Sequence, residues 1–569
     1  MDSAETGTSV DVFSYRNLAD LVEDCIKFYR RSLEKAKGLS NAHEKRIQLS
    51  RWIRKFHQEC GTINSNVEEA IDRLENGSCL FLMSAHQPNL FAYSGVFRKA
   101  TLNHVLAEKL SEKLNVPVVS FFGIADQDFT DDRWVKSAIL PAVERRKGEL
   151  ELRFRMPEKL MLNKVAKPSR QVLDVWRSKI ENWFNSKLSS IKRYCVNFGV
   201  EFNFKDGELT KNFEEFWGIV EDAYKKAETY ADFNAFIMSK IVNEAWGYDT
   251  LFSRFSECQQ IFEHDFCFLL SRFDEYSRYV REATFSLGNQ KRGVYEQEYK
   301  TIPFWYHCSC GSKARLMAEQ EGNSLIGHGE CLRCGKEYKI DFSSKNEPEI
   351  SNILTEISAR SLTMPLTFLE GLKVCCYVGG LGGKEYLQEA KYVADHVGIL
   401  FPPIAIWRPA DLYLGVGQLE ALMTYRKFSG TFDLSRYSAV VSKLREKVDE
   451  IEEETKELKL QKRSVENDAE LKEEEKIERI KAVSVRQMRI RKESNYPVLV
   501  SNLKLLENVK AVMRLYPCIV DCAVNVGLKA TSDQWVAFLK NDGSLISDVT
   551  LQTVFGSPDD YVEPGLLKE

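Results

Sequence analysis

At 569 residues the chain is too long for one hydrophobic core, and its length alone suggests roughly three to four domains. A composition of 44% hydrophobic and 28% charged residues excludes wholesale disorder, and a net charge of −4 excludes a whole-molecule field that would gather nucleic acid or anionic membrane. Any such binding must be local. The densest basic stretch, residues 144–193, sets fourteen Lys and Arg against six Asp and Glu, and its plain reading is a solvated helical face. The opening residues "MDSAETGTSVDVFSYRN" hold neither a charged leader nor an apolar stretch, and no run approaches the roughly 18 apolar residues of a membrane span. The expectation is a soluble, cytoplasmic protein with no membrane partner, in which most of the fourteen cysteines are reduced thiols.

The first segment, 1–77, reads as helical, with Leu18, Leu21, Val22, Cys25, Ile26 and Tyr29 recurring at spacings of three and four. At Gly77 the pattern changes. "CLFLMS" (79–84) is a short apolar run such as a strand covered on both faces requires, residues 95–114 resume helical spacing, and "VPVVSFFGIA" (116–125) is a second buried strand. This is a βαβ unit, and 78–140 is read as the first half of a Rossmann-like core. Residues 141–300 form a mainly helical insertion and 301–345 a zinc ribbon. The second half of the core occupies 346–432, where "LKVCCYVGG" (372–380) is a strand, "LGGKE" a glycine-rich loop, "YLQEAKYVADHV" a helix and "GILFPPIAIW" (398–407) a strand.

From 433 to 493 the chain is strongly charged. Tyr437, Val441, Leu444, Val448, Ile451 and Leu458, then Ile477 and Ile480 after a polar break, predict an antiparallel coiled-coil hairpin through which a homodimer would form, the alternative being one long solvated helix. The last segment, 494–569, is read as a helical and β-hairpin region, because Asn541, Asp542 and Gly543 predict a tight turn between two strands. The expected class is therefore α/β: a Rossmann-like parallel sheet split by a long helical and zinc-ribbon insertion, plus the coiled-coil hairpin.

The most specific motif is Cys331-x-x-Cys334-Gly335, which directs two thiols at one point. Together with Cys308 and Cys310 it offers four sulfurs to a tetrahedral Zn²⁺. A closed four-cysteine site is structural, since it leaves no position for substrate. The short Cys308–Cys310 spacing keeps His307 or His328 open as a substitute ligand.

Three polar clusters stand at predicted strand ends, where open α/β sheets bind their ligands. The first holds Ser84, His86, Gln87 and Asn89, with Ser94 and Gly95 opening a helix whose N–H groups favour an anion. The second holds Asp126, Gln127 and Asp128, followed by Asp131 and Asp132, enough carboxylate for an ammonium group or Mg²⁺. The third is Gly379, Gly380, Gly382 and Gly383 with Lys384 and Glu385, where glycine lets backbone approach a ligand. It is no P-loop, because no Gly-Lys-Ser/Thr follows. Helix caps and solvated turns are the plain alternatives for all three.

"HQPNLFAYSGVFRKA", "VPVVSFFGIADQDF" and "YVGGLGGKEY…GILFPP", in that order and ahead of a charged coiled coil, resemble the family of the bacillithiol biosynthesis cysteine-adding enzyme. The residues that carry the likeness are Gln87, Leu90, Phe91, Lys99 and Ala100 in the first stretch, Asp126, Asp128 and Phe129 in the second, and Gly379, Gly380, Gly382 and Tyr386 in the third. His86 stands where the family has glutamine, and Gly383 where it has glutamate.

The resemblance implies a core akin to class I aminoacyl-tRNA synthetases and a ligase that joins an activated amino acid, cysteine, to an amine acceptor such as an amino sugar. ATP or another nucleotide would bind at Ser84, Asn89, Ser94, Gly95 and the residue 379–384 loop, while His86, Gln87, Asp126 and Asp128 would serve the chemistry. Two alternatives come from other classes. One is an RNA-binding or tRNA-synthetase-like protein without ligase turnover, and the other is a coiled-coil scaffold.

Overall fold

The computed structural model describes residues 15–35, 42–201, 205, 207–286, 300–321, 324–344, 347–369, 372–408 and 410–556. The parts of the expected segments at 1–14, 287–299 and 557–569 lie outside the described residues.

Strand β1 (Leu80–His86), helix α1 (Ser94–Leu114) and strand β2 (Val118–Ile124) form the βαβ unit, with β1 and β2 parallel and in register from Leu80–Val118 to His86–Ile124. Strand β3 (Leu251–Arg254) adds in parallel to β2. A second sheet then follows, built from β4 (Phe304–His307), β5 (Lys313–Glu321), β6 (Ser324–Cys331), β7 (Glu337–Ser344) and β8 (Ile357–Ala359). It is antiparallel throughout, in the order β8-β4-β5-β6-β7. The chain returns to the first sheet with β9 (Val374–Gly379), which pairs with β1, helix α2 (Lys384–Val397), and β10 (Ile404–Ile406), which pairs with β9.

The first sheet is parallel in every pair, with strand order β10-β9-β1-β2-β3. Its strands are buried on both faces, and the period of two shows in the packing: Leu80 and Leu82 join one apolar cluster, Phe81 and Met83 another on the opposite side. From β1 the chain runs outward through β2 to β3, and from β9 outward through β10. The direction reverses between β1 and β9, so a crevice opens there beyond the strand ends.

Three expectations need correction. The segment 141–300 is helical in the main, with helices Arg170–Phe198 and Glu208–Lys226, yet it also supplies β3, an edge strand of the core sheet. Four residues were too short a run to stand out among the aromatic helices. No hairpin turn forms at Asn541: Leu528–Asn541 is a helix with Leu528, Thr531, Ser532, Trp535 and Leu539 inward. Gly543 ends it at φ +69°, so the positive-φ requirement that suggests a hairpin is met by a helix stop. In the charged segment, helices α3 (Tyr437–Asn467) and α4 (Glu473–Glu493) lie against each other, and Val441, Val448 and Leu458 are buried, but Ile477 is 63% exposed. The inward stripe of α4 passes instead through Lys476, whose side chain is 17% exposed, and half-buried Ile480. No helix among the described residues is long and apolar enough to cross a membrane.

Candidate functional site

A cavity of about 550 Å³ occupies the crevice between β1 and β9. The strand ends of the parallel sheet form one wall, with His86, Gln87 and Asn89 after β1, Gln127 and Asp128 after β2, and Gly380, Gly382 and Gly383 after β9. The antiparallel sheet forms the facing wall through Trp305 on β4, Lys313 at the start of β5 and Arg360 after β8.

The loop after β1 is held from three sides. Gln87 Nε2 donates to Asp132 Oδ2 at 2.9 Å, and the other oxygen of Asp132 accepts from the Trp134 amide at 2.8 Å. Phe91 sits at φ +40°, an uncommon conformation for a bulky residue, pinned by edge contacts with Trp176, Phe216 and Phe233. The Pro517 carbonyl accepts the Ser94 amide at 2.8 Å, and the Ala92 carbonyl accepts the Ile519 amide at 2.9 Å. The start of α1 is thus closed by residues 517–519.

His86 Nδ1 lies 2.9 Å from the Gln87 carbonyl. A carbonyl only accepts, so Nδ1 carries the proton and Nε2 keeps a lone pair. Burial and the neighbouring Lys99 push the imidazole down to about 3, so it is neutral near pH 7. His86 therefore offers an acceptor through Nε2.

Cationic donors come instead from three other residues. Lys99 Nζ donates to the Ala85 carbonyl at 3.1 Å, and burial brings its amine down to about 8. Lys313 is likewise brought to about 8 by burial, against the pull of Asp128. Its Nζ sits 4.5 Å from the Phe129 ring centre and 5.3 Å from that of Trp305, over whose ring Arg360 also lies at 4.2 Å. Burial raises Asp128 above the ordinary carboxylate range while Lys313 opposes it. With Lys99, Lys313 and Arg360 against Asp128 and Asp132, the cavity has a surplus of positive charge suited to an anion, with carboxylates near enough to take an ammonium group.

Of the residues singled out from sequence, His86, Gln87, Asn89, Asp128, Gly380, Gly382 and Gly383 line the cavity, whereas Ser84, Ser94, Gly95, Asp126, Gly379 and Lys384 do not. Ser84 is buried within β1, donating to the Phe121 carbonyl at 3.3 Å. Asp126 turns away from the cavity. It accepts from the Ser256 amide at 3.0 Å, the Ser256 hydroxyl and Asn163 Nδ2 at 3.3 Å, and burial raises it to about 6. Asp131 accepts from the Lys159 amide, a loop-fastening role. At Gly380 an added Cβ would stand 3.2 Å from Lys99 Cε, so the missing side chain is what lets Lys99 lie against the loop.

The four sulfurs of Cys308, Cys310, Cys331 and Cys334 all lie within 4.8 Å of one another. Cys308–Cys334 and Cys310–Cys331 are each separated by 3.6 Å, close to the ~3.8 Å between sulfurs of a tetrahedral Zn²⁺ site with ~2.3 Å bonds. The cluster can hold a metal ion. His307 is engaged with Ser358 Oγ at 3.0 Å and His328 is exposed near Glu319, so neither belongs to it.

Lys313, Arg360 and Trp305 escape a motif-based reading. The signals available were slight: Lys313 follows the first cysteine pair by three residues, and Arg360 follows a short strand and precedes a helix.

No family model matches the chain. It is 24% identical over 305 residues to "Putative cysteine ligase BshC" of Bacillus cereus strain B4264, and 25% identical over 304 residues to the protein of that name in strain G9842. Each match covers 52% of this chain and 49% of the relative, so the chain spans about half the length of the curated relatives it matches. A solved structure of a Campylobacter jejuni protein named "putative arginyl t-RNA synthetase" aligns at 10% identity over 85% of this chain and 99% of that one, with a TM-score of 0.20, too low to inform the fold.

Proposed function

We propose that the protein is a ligase that joins an activated amino acid, cysteine, to the amine of an acceptor such as an amino sugar, with this cavity as the reaction site. The observation that carries the reading is the convergence of two peptides distant in sequence, His86–Asn89 and Gly380–Gly383, on one positively charged cavity at the sheet's switch point. The partial likeness to relatives named as cysteine ligases supports the same chemistry.

Bound nucleoside triphosphate would supply the activation: a carboxylate oxygen attacks phosphorus as a phosphoanhydride P–O bond breaks and pyrophosphate or the nucleoside diphosphate leaves, then the amine nitrogen attacks the acyl carbon, and the C–N bond forms as the acyl C–O bond breaks and the phosphate-bearing group departs. Lys99 and the backbone of the Gly380–Gly383 loop hold the anionic group, and the loop can approach because a Cβ at Gly380 would crowd Lys99. Neutral His86 accepts a hydrogen bond through Nε2 that orients the attacking amine, and the proton the amine sheds leaves with the departing phosphate. Asp128 holds an ammonium group, or Mg²⁺ if one accompanies the nucleotide, with Lys313 beside it balancing its charge. Gln87 keeps the loop in place through Asp132.

The test is turnover with ATP, cysteine and glucosamine-type amines, followed by mass spectrometry of the amide product. His86→Ala and Asp128→Asn should each lower kcat by roughly 10²-fold or more with a near-wild-type melting temperature. Folded variants with full turnover would remove these roles, and no product with any amine would remove the ligase reading.

A further inference from the structure

The cysteine cluster and the cavity are connected through the backbone. Cys308 to Ser312 form the turn between β4 and β5, and the strand residues that bracket it, His307 and Lys313, are a cross-strand pair. Both feed the cavity wall. Lys313 lines it directly, and His307 reaches Ser358 Oγ at 3.0 Å, two residues before Arg360. The same turn docks on the loop at Leu160 and Met161. The Gly311 carbonyl accepts the Met161 amide at 2.9 Å, and a Cβ at Gly311 would meet Leu160 Cδ1 at 2.8 Å. The loop that begins there holds the peptide after β2: the Leu162 amide donates to the Asp128 carbonyl at 3.0 Å, Asn163 to the Asp126 carbonyl at 2.8 Å, and Thr130 to the Leu160 carbonyl at 3.0 Å. The second cysteine pair is tied in as well, through the Leu332 amide on the Lys313 carbonyl at 3.0 Å and Arg333 Nη1 on the Cys310 carbonyl at 3.0 Å.

We propose that the four cysteines bind a zinc-class metal whose role is to position the cavity: the metal fixes the Cys308–Ser312 turn, and the turn sets Lys313 on one wall and, through Met161 and its loop, Asp128 on the other. The cysteines are positioning residues and touch no substrate. The functional consequence rests on the cavity being the reaction site, as argued above; the structural coupling does not. A purely local metal site would fold its own knuckles and leave Asp128 indifferent to metal, so the two roles differ in what happens outside residues 301–345.

Hydrogen-exchange mass spectrometry of the full chain, metal-loaded against chelator-stripped and Cys334→Ser, reads that difference without any ligand. The loaded protein should hold one metal per chain by elemental analysis. Stripping should speed exchange at 126–130 and 160–164 at least tenfold while the 437–493 helices stay unchanged. A chain that takes up no metal, or exchange confined to 301–345, would overturn the proposal.

Should stripping unfold the whole protein, Met161→Pro keeps all four cysteines and deletes the amide that meets Gly311, at a residue whose φ of −70° already suits proline, and it is compared with Met161→Ala, which loses the same buried side chain but keeps the amide. Met161→Pro should retain the metal yet speed exchange at 126–130 beyond Met161→Ala, and exchange there no faster than in Met161→Ala would overturn the proposal. ATP titration by calorimetry adds the functional arm. Binding by loaded protein that weakens at least tenfold in Met161→Pro supports the coupling, and equal binding counts against it. No ATP binding by loaded protein counts against the ligase reading alone, because the exchange result stands independently.

Discussion

Two five-stranded sheets face each other across the cavity, and they offer their side chains in different ways. The parallel sheet presents strand ends, so its contributions are loop backbone and short polar groups set by strands that are buried on both faces. The antiparallel sheet presents a wall, so its contributions are long side chains, Lys313 and Arg360 against the Trp305 ring, with the four-cysteine cluster at one end. A wall of paired backbone has little room to give, whereas a strand end bordered by a cavity does.

Replacing one glycine by alanine in each sheet tests that contrast. At Gly329 on β6 an added Cβ would lie 1.9 Å from the Arg315 carbonyl oxygen of the neighbouring strand, and backbone cannot swing aside. At Gly123 on β2 it would lie 2.1 Å from the Phe255 ring, which borders the cavity and can turn into it. Gly329→Ala should cost about 3 kcal/mol or more in denaturant unfolding, above the ~1–2 kcal/mol expected of Gly123→Ala. Gly123→Ala should in turn weaken ATP binding by filling the cavity. Equal stability losses, with binding intact in Gly123→Ala, would show that the strand end has no more give than the wall.

The same contrast explains what was legible in the sequence. Four of the five parallel strands follow from continuous apolar runs, since burial on both faces leaves no other pattern, and the switch point puts His86 and Gly380 together once the strand order is known. Which polar residue faces the ligand is decided by finer matters. Asp126 and Asp128 are two apart in the same turn, and only the Ser256 and Asn163 partners of Asp126 separate a fastening carboxylate from a cavity carboxylate. The helix start at Ser94 reads as an anion site, yet Pro517, more than 400 residues on, takes its amide. Lys313 and Arg360 become site residues only because one sheet docks on another, which no local pattern encodes.

Lys99 is where the parallel wall carries cost for the sake of binding. Its amine titrates near 8 in the folded chain against an ordinary 10.5. Below pH 8 both states are protonated and the folded state bears the whole desolvation cost, about 3 kcal/mol. Between pH 8 and 10.5 the folded amine is neutral while the unfolded one is still charged, and the cost fades. Lys99→Met should therefore raise stability at pH 7 by about 1–3 kcal/mol, less the ~1 kcal/mol of the Ala85 hydrogen bond, and the gain should shrink as pH rises through 8. ATP affinity should fall in the same variant, and in the native protein it should decline above pH 8, two units earlier than an exposed lysine would allow. A variant that is destabilised and binds ATP normally would make Lys99 a structural residue.

The helical hairpin supplies the smallest effect and a third kind of surface, one that takes no part in lining the cavity between the sheets. Val448 is 5% exposed and Ile477 63% exposed, although the heptad spacing treats them alike. Val448→Ala should cost about 1–2 kcal/mol from two buried methyl groups, and Ile477→Ala less than ~0.5 kcal/mol, at every protein concentration. The concentration dependence is the informative part. Within one chain Ile477 packs on little, so its truncation can matter only if a second chain covers α4, and then the loss must shrink toward zero as dilution separates the chains. Melting curves recorded at protein concentrations a hundredfold apart distinguish the cases. A loss that stays below ~0.5 kcal/mol at both leaves the exposed face of α4 in solvent, and a loss that changes between them assigns it to a dimer.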